Sequence, residues 1–111
     1  MTKTEGKKRE QLIEFLDEKL FDPILRASPD DYESQDSRKK LHDVKKHIEK
    51  EKLRFRDRDA YPAAADIKKS ILLDLQSKTG EKMGHDLDQL DLPRLTGIKD
   101  EFLKLCDALK V

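Results

Sequence analysis

The chain has 111 residues, 43% of them charged, and its 24 basic and 24 acidic side chains cancel to no formal net charge. A chain of this size supports one hydrophobic core, so a single domain over residues 1–111 is expected, with residues 1–4 frayed. No apolar run approaches the roughly 20 residues of a membrane helix, and one cysteine excludes a disulfide framework and a cysteine-rich zinc site. The basic start, Met1 to Arg9, is not followed by the apolar stretch of a secretory signal. The expectation is a cytoplasmic protein with no membrane partner.

A mean hydropathy of −0.89 raises disorder as an alternative. Against it stand the zero net charge and the regular spacing of the apolar residues. Isoleucine and valine never alternate with polar residues as in a strand, and Glu, Lys, Leu, Asp and Arg favour helix. The expected class is all-α: a compact, mostly antiparallel bundle of four main helices with short helical turns.

The first helix is predicted from Thr4 or Glu5 to Leu20 or Phe21, on the face of Leu12, Ile13, Leu16 and Leu20 widened by Phe15. Asp22-Pro23 should stop or turn it, because the proline ring pushes residue 22 out of the α region. Ile24 and Leu25 then make a short turn. Ser28-Pro29-Asp30-Asp31 reads as a capped helix start. The second long helix, capped by Asp36 or Ser37, carries the narrow stripe Leu41, Val44, Ile48 and Phe55, with the Lys52 stem bridging its gap.

A third helix is predicted from Tyr61-Pro62 to Thr79-Gly80, with Gly80 as left-handed C-cap and Ala64, Ile67, Ile71, Leu72 and Leu75 inward. Ala63 to Ala65 give it a thin first turn that another backbone can approach. Gly80 to Gly84 reads as a loop, followed by a short covering piece with Leu87, Leu90 and Leu92. The last helix opens at Asp91-Leu92-Pro93 and carries Leu95, Ile98, Phe102, Leu105 and Leu109, with Cys106 beside the stripe. Gly97 inside it costs about 1 kcal/mol relative to alanine, which implies a close contact or a later helix start.

The neutral total hides an asymmetry. Residues 38–58 hold ten basic residues against four acidic ones, preceded by Asp30, Asp31, Glu33 and Asp36. Lysines and arginines along one helix, with Phe55 and Tyr61 close to Arg54, Arg56 and Arg58, suit an anionic ligand such as nucleic acid. Two structural readings compete. In one the helix is a solvated face braced by pairs such as Lys39–Asp43 and Lys45–Glu49. In the other it packs on the acidic segment 30–36 or on a second copy.

The chemistry of a catalytic site is faint. His42 and His47 are five apart and face apart, whereas a helical metal clamp needs three or four. His85 with Asp86 and Asp88 needs ligands from elsewhere to hold a metal. Cys106 has no group nearby to lower its pKa, the four glycines are too dispersed for a phosphate loop, and no pair of carboxylates has an apolar setting. No catalytic, cofactor or metal residue is assigned. The leading expectation is a non-enzymatic helical interaction domain that meets a protein partner or a second copy, with Arg54, Arg56, Arg58, Tyr61, Lys45 and Lys46 at the contact. Nucleic-acid binding through helix 38–58 is the alternative, and an enzyme or metal site around His85 the third. A homodimer would use the third helix as its seam.

Overall fold

The computed structural model describes residues 3–111, with side chains from Gly6 onward. It is all-α, with no strand among the described residues. Helix α1 spans Lys3–Leu16 and passes through a π-turn, Asp17–Phe21, into the short α2, Asp22–Arg26. A 3-10 turn, Pro29–Asp31, leads to α3, Gln35–Arg54. Helices α4 (Ala64–Gln76), α5 (Lys78–Gln89) and α6 (Leu95–Ala108) complete the chain. The expected fraying at residues 1 and 2 lies outside the described residues, while Lys3 and Thr4 are already helical.

Pro23 does not stop the first helix. A proline in a regular helix lacks one N–H and drives its ring into the carbonyl four residues back. The π-turn before it widens the coil, with the Asp22 N–H donating to the Asp17 carbonyl five residues earlier, and the helical path continues. The extra residue also turns both Leu20 and Phe21 inward, where Phe21 stacks parallel to Phe55 at 6.3 Å between ring centroids.

Serines set three of the other starts, those of the 3-10 turn, α3 and α5. Ser28 accepts from the Asp30 N–H and caps the 3-10 turn, which stays separate from α3. The cap of α3 is Ser34, accepting from the Ser37 N–H, so the helix begins before the predicted Asp36 or Ser37. Helix α4 starts at Ala64 rather than Pro62, with the Asp66 carboxylate accepting from the Ala63 N–H.

The predicted loop at Gly80–Gly84 is helix α5. Ser77 joins it to α4: its hydroxyl donates to the Asp74 carbonyl at 2.7 Å and accepts from the Gly80 N–H at 3.0 Å. Gly80 has negative φ and is no left-handed cap. It is needed because a Cβ there would stand 2.0 Å from the Asp74 carbonyl oxygen. The left-handed positions are Asp91 and Lys110. In each case the next N–H reaches back five residues, Leu92 to Leu87 and Val111 to Cys106, and closes the helix end.

The core gathers Leu12, Leu16, Phe21, Ile24, Ile48, Phe55, Ile67, Leu87 and Phe102, each at most 1% exposed. Helix α1 packs on α4 and α6, while α3 packs on α2, α5 and the π-turn. Burying each large apolar side chain contributes about 1.5–3 kcal/mol, several times what an exposed i,i+4 ion pair supplies. The sparse stripes therefore hold this charged chain together. The α6 stripe is rotated from expectation: Cys106 is fully buried, and Leu105 and Leu109 are half-buried.

Candidate functional site

The basic helix α3 presents its cations on several sides. Its outer stripe, Lys39, His42, Asp43, Lys46, Glu49, Lys50 and Leu53, is exposed throughout and carries three lysines against two carboxylates. Lys45 is half-buried at its edge. Five further cations of residues 38–58 are engaged inside the chain: Arg38 donates from Nε to the Tyr32 carbonyl at 2.7 Å, and four make ion pairs. Lys40 pairs with Asp36, Lys52 with Asp22 at 2.8 Å, Arg54 with Glu51 and Asp74, and Arg56 with Asp17. Segment 30–36 engages Arg38 through the Tyr32 carbonyl and Lys40 through Asp36, while the other partners come from the first helical stretch, from α3 itself and from α4. The Lys52 ammonium holds the Asp22 carboxyl below the usual carboxylate range by donating to it.

Arg54 is the centre of the end of α3. Its Nη2 lies 2.5 Å from Asp74 Oδ2, 2.7 Å from Glu51 Oε2 and 3.0 Å from Ser70 Oγ. Its guanidinium carbon stands 4.7 Å from the Phe55 ring centroid and 5.5 Å from that of Tyr61. Phe55 is buried and meets Tyr61 edge-on at 5.1 Å, so the stacking faces suggested for a ligand are covered by Arg54 and by each other. Tyr61 is half-buried, its hydroxyl 3.5 Å from Ser70 Oγ. Arg58 is exposed, beside Lys7 and Glu10. Arg54 and Tyr61 therefore converge; Arg56 points to the π-turn, Arg58 to α1, and Lys45 and Lys46 lie two turns away.

The residue that holds the 55–61 segment went unnoticed in the sequence. Arg9, 4% exposed, donates from Nε to the Tyr61 carbonyl and from Nη2 to the Phe55 carbonyl, both at 2.7 Å. Burial, with Arg58 nearby, holds its pKa below the ordinary arginine range. In sequence Arg9 is one of a run of cations, Lys7, Lys8 and Arg9, and only its helical phase with Leu12 and Leu16 marks it.

A second unforeseen feature is a carboxylate pair in an apolar setting. Glu51 and Asp74 meet at the wall of a cavity of about 250 Å³ lined by Leu16, Ile48, Ile71, Met83 and Phe102 among others. Burial pushes the Glu51 carboxyl up to about 7, with Asp74 adding to the rise and Arg54 opposing it. His47 Nε2 is 3.7 Å from Glu51 Oε1, the i,i+4 contact its spacing allows. Glu51 Oε2 and Arg54 Nε are buried without a well-aligned hydrogen bond.

His85 is exposed on α5 and lines a neighbouring groove with Asp88 and Arg94. Among the described residues no group of three or more His, Cys, Asp or Glu could hold a metal ion. The Cys106 thiol is buried, and burial raises its pKa. No described helix is long and apolar enough to cross a membrane. The chain matches no protein-family model, no curated protein and no solved structure.

Proposed function

We propose that the chain is a small, non-enzymatic helical interaction module of the cytoplasm that offers the outer face of α3 to a protein partner. The observation that carries this reading is Leu53, 72% exposed at the end of the mixed-charge stripe from Lys39 to Lys50. A leucine ringed by charges of both signs suits a partner that covers the apolar side chain and takes its register from the rim. A phosphate backbone asks for a field of one sign, which three lysines against two carboxylates do not make. In this reading Arg54, Arg56 and Tyr61 fix the end of α3, while Lys45, Lys46 and Arg58 border the contact. A second copy is the other occupant, through Leu73, 59% exposed on the outer side of α4.

The test is a benzoylphenylalanine photo-crosslinker at position 53, with one at the exposed position 97 on α6 as control. A discrete protein adduct from position 53 alone, lost on adding Lys46→Glu and Lys50→Glu, is the expected result. Equal labelling from both positions would overturn it. So would a shift of labelled DNA or RNA that weakens steeply between about 50 and 200 mM salt. Sedimentation equilibrium separates a partner protein from a second copy.

A further inference from the structure

We propose that the cavity between α1, α3, α4, α5 and α6 is a binding site for a small amphiphilic amine, its apolar body inside and its ammonium group on Glu51. Size sets the body. A cavity of about 150 Å³ suffices for benzene, so about 250 Å³ admits one ring with a two- or three-atom chain. The inner wall is apolar, with Leu16, Ile48, Ile71 and Phe102 along it, and such a wall gains by excluding water from a hydrocarbon surface. Ser77 and Thr79, where α4 passes into α5, are the exposed residues of the cavity lining.

Charge and hydrogen bonding set the head group. Glu51 lines the cavity, and its Oε2 lies 2.7 Å from Arg54 Nη2 but off the line of a hydrogen bond. Glu51 and Asp74 share the single guanidinium of Arg54, so two ionised carboxylates leave one negative charge unmatched there. The other charged or titratable groups facing the cavity are His47 on α3 and Lys99 on α6, and Lys99 makes no ion pair with either carboxylate among the described contacts. An ammonium supplies the missing charge and further donors to the carboxylate pair. A carboxylate ligand would meet two of its own kind.

The probes are phenethylamine, ethylbenzene and 3-phenylpropanoate, titrated into the full chain while the methyl resonances of Ile71 and Leu75 are followed. Phenethylamine should bind at least tenfold more tightly than ethylbenzene at pH 8, and 3-phenylpropanoate should not bind. Because Glu51 ionises at about 7, the amine should bind about tenfold more weakly at pH 6 than at pH 8, with ethylbenzene unchanged. Glu51→Gln should remove both the amine preference and most of its pH dependence, which separates Glu51 from His47. Absence of saturable shifts with any probe overturns the proposal. Equal amine and ethylbenzene affinities in the unmodified chain, or an amine affinity untouched by Glu51→Gln, do so as well.

Discussion

Gly80 and Gly97 are both helical glycines, and they should respond to alanine in opposite directions. At Gly80 a methyl group would stand 2.0 Å from the Asp74 carbonyl oxygen, so Gly80→Ala must push apart the α4–α5 junction and cost several kcal/mol. At Gly97 nothing lies within 4 Å, neither a close contact nor a delayed helix start accounts for the residue, and the structure gives no reason for it. Gly97→Ala should therefore stabilise the protein by about 0.5–1 kcal/mol. Urea unfolding of the two variants checks both signs, with the denaturant slope unchanged for Gly97→Ala. From sequence alone the two are hard to distinguish, because a glycine needed for close approach and one that is merely tolerated look the same. The two left-handed positions fall on Asp91 and Lys110, where composition gives little sign of them.

Elements were legible where one rule acted alone. The stripe Leu41, Val44, Ile48 and Phe55 is buried as its spacing requires, and Ser28 caps its turn. They were misread where tertiary packing offered a way round the rule. Pro23 is a local stop signal, but the π-turn before it removes the clash and gains two inward side chains. Ser77 both ends α4 and starts α5, which hid a helix inside an expected loop. The carboxylate pair was invisible because Glu51 and Asp74 are 23 positions apart and meet only across the Arg54 guanidinium in the folded chain.

That pairing has a consequence for stability. The folded-state pKa of Glu51, about 7, exceeds its unfolded value, so the folded protein binds the extra proton. Stability from this group is fully present below the unfolded carboxyl range and is lost as pH rises through about 7, levelling off above that. Glu51→Gln should remove that slope and lose less stability than the parent between pH 5 and pH 8. Thermal melts of both proteins at pH 5 and pH 8 measure it; equal slopes would contradict the buried setting of Glu51.

At the scale of the whole molecule, the basic segment is partly a brace and partly a surface. Lys52, Arg54 and Arg56 reach back to Asp22, Asp74 and Asp17 and tie the end of α3 to the first helical stretch and to α4. The outer stripe ending at Leu53 has no such partners among the described contacts. The sequence shows the excess of cations but not this division, because the division depends on which side of α3 faces the core and where distant aspartates come to rest. Single contacts of half-exposed ions are worth little, but Arg54 joins two carboxylates, a hydroxyl and two aromatic faces. Its loss should therefore be felt well beyond one surface pair.

Thermal unfolding of Arg54→Met beside Leu53→Glu tests this division most directly, since the two residues are neighbours in sequence and opposite in role. Arg54→Met should lose about 1–2 kcal/mol and lower the melting temperature by about 4–10 °C, while Leu53→Glu should melt within a degree or two of the parent. A marked loss for Leu53→Glu with none for Arg54→Met would show that the leucine is structural and the arginine free, the reverse of the arrangement described.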